Sequence, residues 1–148
     1  MSTYTQILYH IVYGTKNRKN SLDLEKHDQL CKYIAGLLNN KKCVPHKIGG
    51  YSDHIHILFG LHPSIALSDV VKDIKLASSD WIKRENLFPD FEGWQEGYGT
   101  FTCSWPIKDE IIKYIESQFE HHRQYSFKEE YIGFLKRAGI EFDEKYLN

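Results

Sequence analysis

The stretch GGYSDHIHILFGL, residues 49–61, decides how the chain is read, because an apolar run there carries His54 and His56 one residue apart. Side chains alternate between the two faces of a β-strand, so His54, His56 and Leu58 point one way while Ile55, Ile57 and Phe59 point the other. Burial and chemistry are thereby divided between the strand's two sides. Upstream, CVPHKIGG is a second β-type run, and the turn-forming GGYSD between the two predicts a hairpin. Two neutral imidazoles projecting together can hold a divalent metal, yet two ligands do not complete a site. From spacing alone, the pair serves equally well as hydrogen-bonded strand histidines.

Working outward, TQILYHIVYGT is rich in Ile, Val and Tyr and ends at Gly14, which predicts a first strand. The basic turn KNRKN follows, and Leu30, Ile34, Leu37 and Leu38 then mark a helix over roughly residues 22–40. Beyond Pro63, Ser68 is placed to cap a second helix, LSDVVKDIKLASSDWIKRE. The aromatic, Thr-rich GWQEGYGTFTCSW predicts a bent strand stopped by Pro106. A third helix, KDEIIKYIESQFEHHRQ, and a shorter fourth, FKEEYIGFLKRAG, complete the chain. The order β-α-β-β-α-β plus helices predicts an α+β, ferredoxin-like antiparallel sheet with helices on one face and additional C-terminal helices.

With 148 residues and 41% apolar composition, residues 1–148 are expected to form a single domain with its own core. A formal charge of -1 neither requires nor excludes a nucleic-acid partner. Cys31, Cys43 and Cys103 are odd in number and lack CxxC spacing, which points to free thiols rather than a disulfide framework or a thiolate zinc site. With no run near the ~20 apolar residues of a membrane helix and no secretory pattern, the expectation is a cytoplasmic protein with no membrane partner.

On the third helix, Ile112, Ile115 and Phe119 form the expected apolar stripe, while Tyr114, Gln118, His121 and Tyr125 cluster beside it. Tyr114 and Gln118 are one turn apart and reach a common point. A glutamine oxygen is a legitimate hard ligand and a phenol beside a cation can be a nucleophile, though such residues also commonly cover the edge of a core.

At these residues the chain resembles the single-tyrosine HUH transposases of bacterial insertion sequences and their relatives associated with repetitive extragenic palindromes. The matching segments run nearly its whole length: HIVYGTKNRK (10–19), IGGYSDHIHIL (48–58), LSDVVKDIKLASSDWIK (67–83), GWQEGYGTFTCS (93–104), YIESQFEHH (114–122) and FLKRAGIEFDEKYL (134–147). HIH would be the HUH element, with Ile55 as its bulky middle residue. The resemblance implies that His54 and His56 bind Mg²⁺ or Mn²⁺, that Gln118 completes the ligands, and that Tyr114 is the nucleophile. It further implies a homodimer in which the tyrosine helix can serve the other subunit. The implied activity is transposition: cleaving and rejoining single-stranded DNA at hairpin-marked ends through a 5′-phosphotyrosine. Ser117 stands where the family often has Asn; helix geometry puts that position off the metal-facing cluster.

Expected DNA contacts are Lys16, Arg18 and Lys19 after the first strand, Lys41, Lys42 and Lys47 around the second, and Lys72, Lys75, Lys83 and Arg84 on the second helix. Trp94, Tyr98 and Phe101 have the chemistry to stack on unpaired bases. Two rival readings share the fold: a domesticated, non-cleaving binder of a DNA or RNA hairpin, and a metal-holding module without nucleic-acid affinity. The second leaves Tyr114 unexplained.

Overall fold

The computed structural model describes residues 2–122 and 125–147. Four strands, β1 (Leu8–Gly14), β2 (Val44–Tyr51), β3 (His54–Gly60) and β4 (Gly99–Cys103), form one antiparallel sheet in the order β2-β3-β1-β4. That order, with crossover helices α1 (His27–Asn40) and α2 (Leu67–Glu85), is the ferredoxin-like arrangement expected from the sequence. Pro45, which cannot donate to a ladder, sits on edge strand β2 beside a register shift. The hairpin loop is only Ser52–Asp53; Gly49 and Gly50 lie within β2.

One face of the sheet carries the main core. Ile11 and Tyr13 of β1 and Ile55, Ile57 and Phe59 of β3 are fully buried against Leu30, Ile34 and Leu38 of α1 and Val70, Val71, Ile74 and Ile82 of α2. Each fully buried aliphatic side chain of this kind contributes roughly 1.5–3 kcal/mol of transfer free energy. The opposite face carries His10, Val12, His54, His56 and Leu58, all buried as well. Their cover is the C-terminal part: α3 (Lys108–Glu116), α4 (Gln118–His121) and α5 (Phe127–Arg137). Val12 packs with Phe127, Tyr131 and Leu135 of α5, while Ile115 of α3 lies on Gly49 of β2. The two helix layers therefore sandwich the sheet, with α1 and α2 on one side and α3 to α5 on the other.

Several element boundaries differ from those read in the sequence. α1 begins at His27 rather than near residue 22, because Asp23 accepts the Glu25 amide in a local turn and Leu22 is pinned to the hairpin through the Ser52 carbonyl. Ser68 is inside α2; Ala66 caps it, since Ile65 and Leu67 pack on the core and start the helix earlier. The last strand starts at Gly99, with Trp94 making only an isolated bridge to Thr15. The third helix is interrupted at Ser117, whose hydroxyl donates to the Tyr114 carbonyl at 2.9 Å, and the break turns Phe119 out of the expected stripe to 46% exposure. Its expected end at Arg123 and Gln124 lies outside the described residues.

Gly49 permits the close approach of α3: a Cβ there would stand 2.7 Å from Ile115 Cγ2 and 3.2 Å from the Ile115 carbonyl oxygen. Gly49→Ala is therefore expected to destabilise the protein by about 1–3 kcal/mol in chemical denaturation. Amide exchange should quicken over residues 108–116 and stay slow over 67–85; uniform quickening would contradict a local effect on α3.

Candidate functional site

Register and alternation bring the polar residues of the covered face together. Val12 pairs with His56 and Gly14 with His54, so the two histidines sit beside β1, and His10 reaches His56 diagonally, Nε2 to Nδ1, at 2.8 Å. The Nδ1–H of His54 donates to Asp53 Oδ1 at 2.8 Å, the neighbour in the hairpin loop. These partners leave His54 Nε2 as a bare lone pair and point both Nε2 atoms at the space under α4 and α5. His122, at the end of α4, has its Nδ1–H on the Tyr125 carbonyl at 2.7 Å, which frees its Nε2 in the same way.

Into this space Gln118 places its amide oxygen. Oε1 lies 2.9 Å from His54 Nε2, 3.0 Å from His56 Nε2 and 3.0 Å from His122 Nε2. Its amide orientation is fixed from behind, because Gln118 Nε2 donates to Glu130 Oε2 at 3.1 Å. The other carboxylate oxygen, Glu130 Oε1, stands 3.0 Å from His56 Nε2 and 3.4 Å from both His54 Nε2 and His122 Nε2. His54 and His56 are fully buried, and Gln118 is 1% exposed. Imidazole nitrogens, an amide oxygen and a carboxylate thus converge in a largely buried space, the imidazoles able to share protons with Glu130 or to offer lone pairs to a cation beside it. A divalent cation satisfies such a set, and His54, His122 and Glu130 alone bring ligand atoms within 4.8 Å of one another.

Charge in the cluster centres on Glu130. Burial works to raise its carboxyl, but hydrogen bonds from His122 and His56 outweigh it and hold the group well below the usual carboxylate range. His56 is pushed down by burial, partly offset by Glu130. His122 is raised: burial opposes its charge, and the Glu130 hydrogen bond and charge prevail. Tyr114 donates its hydroxyl to Glu130 Oε2. Burial first, then the Glu130 carboxylate, pushes the phenol well above its ordinary value, with Arg137 acting in the opposite sense.

All four predicted site residues, His54, His56, Gln118 and Tyr114, are thus gathered by one chain. Tyr114, Gln118 and His122 are spaced four apart, and the break at Ser117 does not separate them; Ser117 itself is exposed, away from the cluster. The sequence reading missed His10, Asp53, His122 and Glu130. Glu130 had a legible signal, a carboxylate inside the apolar stripe Phe127, Tyr131, Phe134 and Leu135 of its helix. The three ligands read from the sequence, His54, His56 and Gln118, are neutral, and this carboxylate stands among them.

The expected DNA contacts scatter. Lys16 and Arg18 line a cavity of about 500 Å³ with Gln95, Tyr98, Phe127 and Tyr131. Asn17 and Arg18 hold left-handed backbone there, at φ 57° and 54°. Lys19 is ion-paired with Glu92 at 3.1 Å, and Lys72 is exposed on α2. Lys75 spends its ammonium on the Gln95 and Gly97 carbonyls, and burial lowers it to about 8. Trp94 packs on Tyr13 and Phe91 with its indole N–H on Ser78 Oγ at 3.0 Å, and Phe101 stacks on Phe134, so both serve the cores.

A family model described as "Transposase IS200 like" matches residues 3–118. The chain belongs to the IS200-like transposase family. It is 28% identical over 120 residues to the ISDra2 transposase TnpA of Deinococcus radiodurans, spanning 78% of this chain and 86% of that protein. A crystal structure of a D. radiodurans protein described as a transposase superposes with a TM-score of 0.63 at 25% identity, over 80% of this chain and 95% of the other. The structure of a REP-associated tyrosine transposase bound to a REP hairpin shares the fold, with a TM-score of 0.61 at 16% identity over 82% and 74%. The family match stops at Gln118, so His121, His122, Glu130 and Arg137 lie beyond it. Among the described residues no helix is long and apolar enough to cross a membrane.

If the five donors act together, Glu130→Gln should weaken Mn²⁺ binding about 10–100-fold in calorimetry, and Asp53→Asn, which frees the His54 ring, by about tenfold. Unchanged affinity in Glu130→Gln would place the ion elsewhere.

Proposed function

We propose that the protein is a single-tyrosine DNA transposase that cleaves and rejoins single-stranded DNA through a covalent 5′-phosphotyrosine. The observation that carries this reading is the meeting of the Tyr114 hydroxyl with His54, His56, Gln118, His122 and Glu130 in one buried cluster. A tyrosyl ester retains the energy of the cut phosphodiester, so a later 3′-OH can reverse the step; hydrolysis by water would end it. The relatives' names support the reading as far as transposase activity.

Each residue has a defined task. His54, His56 and Gln118, joined by His122 and Glu130, would hold Mg²⁺ or Mn²⁺. When bound, such a cation offsets the Glu130 charge that keeps the phenol protonated and neutralises charge building on phosphate oxygens. Asp53 and His10 fix which imidazole nitrogens face inward. Glu130, through its second oxygen, holds Tyr114 against the cluster. Tyr114 supplies the oxygen that bonds to phosphorus, and the 3′ oxygen departs as a free 3′-OH.

The DNA reading extends outward from this cluster. Lys16, Arg18 and Tyr98 around the 500 Å³ cavity offer phosphate contacts and a stacking face next to Phe127, which itself stacks on His54. The bound hairpin of the structural neighbour supports a structured single strand as the substrate. We further propose a homodimer, as the family resemblance implies; Tyr114 and the histidines of one chain already meet without a partner.

The test uses full-length protein, Mg²⁺ or Mn²⁺, and single-stranded oligonucleotides tiled across the DNA flanking the gene. The wild type should form a denaturation-resistant adduct on one of them, and Tyr114→Phe should lose it while retaining oligonucleotide affinity. Binding without any adduct in the wild type would favour the non-cleaving hairpin binder instead.

A further inference from the structure

The cluster has a mouth. Tyr114 and Glu130 line a cavity of about 360 Å³ together with His121 of α4, Tyr125 between α4 and α5, and Gly133 and Arg137 of α5. Arg137 is in the last turn of α5, where a basic residue is favourable in any helix. Its direction is the informative point. The guanidinium folds back over the Phe134 ring, 5.0 Å from the centroid, and Gly133 gives it room: a Cβ there would stand 3.3 Å from Nη1. Among the described residues Arg137 makes no ion pair within 4.0 Å. The cavity's other carboxylate, Glu129, accepts a hydrogen bond from Ser126 Oγ at 3.1 Å.

A planar fork with unspent donors, held by an aromatic face beside a nucleophilic hydroxyl, suits the two non-bridging oxygens of a phosphodiester. We propose that this cavity is the seat of the scissile phosphate and that Arg137 grips its non-bridging oxygens while Tyr114 attacks. The inference rests on the tyrosine-transposase reading above. In the step, the Tyr114 O–H bond breaks and its oxygen bonds to phosphorus. The P–O3′ bond breaks, and the 3′ oxygen takes up one proton as it leaves. One proton is released and one consumed, with no oxidant or reductant involved. The non-bridging oxygens share one negative charge in the bound strand already, and their charge and geometry change as Tyr114 bonds to phosphorus; a fork matched to that geometry makes Arg137 worth more to the rate than to binding. The seat also separates tasks: Lys16 and Arg18 lie around the other cavity, next to Phe127, and hold the strand rather than the reacting group.

The experiment measures single-turnover adduct formation on the oligonucleotide that the wild type captures, with Arg137→Gln, Arg137→Lys and Lys16→Gln/Arg18→Gln compared. Arg137→Gln should slow adduct formation about 100-fold, with oligonucleotide Kd within about threefold and Mn²⁺ affinity unchanged; Arg137→Lys should recover part of the rate. The Lys16/Arg18 pair should do the reverse, weakening Kd more than the rate. An Arg137→Gln rate within about threefold of wild type would overturn the seat while leaving the Tyr114 reading intact. So would a loss appearing only in Kd or in Mn²⁺ affinity. Absence of an adduct in the wild type would remove the transposase reading and the seat together.

Discussion

Five lone-pair donors face one another in the interior of this protein: Nε2 of His54, His56 and His122, Oε1 of Gln118 and Oε1 of Glu130. In water such groups would point apart. Here backbone and side-chain partners behind each one, Asp53, His10, the Tyr125 carbonyl and the Gln118 amide nitrogen on Glu130, hold them converged. Protons from Tyr114, the Gln118 amide and the imidazoles answer the Glu130 carboxylate, yet so many acceptor atoms crowded together in a nearly dry space remain costly. The fold on this side of the sheet is organised around meeting that cost.

The two faces of the sheet divide the work accordingly. Against α1 and α2 the contacts are aliphatic and aromatic, and stability there needs no ion. On the other face buried apolar residues, Val12, Leu58, Ile115, Phe127, Tyr131 and Leu135 among them, share the interface with the polar cluster, so α3 to α5 are tied to the sheet through both. Glu130 is the connecting element. One oxygen joins the imidazole cluster and the other receives Tyr114, so the same carboxylate sets the charge of that cluster and the position of the hydroxyl. Loss of its charge is felt in both places at once.

Much of this was legible from the chain alone. Period-two alternation in HIHILF assigned each residue of β3 to the correct face, and the spacing of Leu30, Ile34 and Leu38 identified α1's buried side. Tyr114 and Gln118 were recognisable as a pair because four residues make one helical turn, and that spacing survives the kink at Ser117. What escaped was what only tertiary packing decides. Glu130 is sixteen residues from Tyr114 on a separate helix, and its burial reverses the ordinary expectation for a carboxylate. Trp94 and Lys75 looked like DNA contacts by residue type, yet the loop over residues 93–98 uses both for its own packing, through Ser78 and through the Gln95 and Gly97 carbonyls. Phe119 was misplaced because uniform helical geometry was carried past a break.

The central claim is that one chain assembles a metal-binding cluster in which Glu130 takes part and from which Tyr114 hangs. Crystals soaked in Mn²⁺, with anomalous diffraction recorded near the manganese edge, test it most directly. The account predicts a single strong anomalous peak within bonding distance of His54 Nε2, His56 Nε2, Gln118 Oε1 and Glu130 Oε1, with the Tyr114 hydroxyl still on the Glu130 carboxylate. A peak held by the two strand histidines alone, with Glu130 swung away, or a peak elsewhere in the molecule, would contradict it.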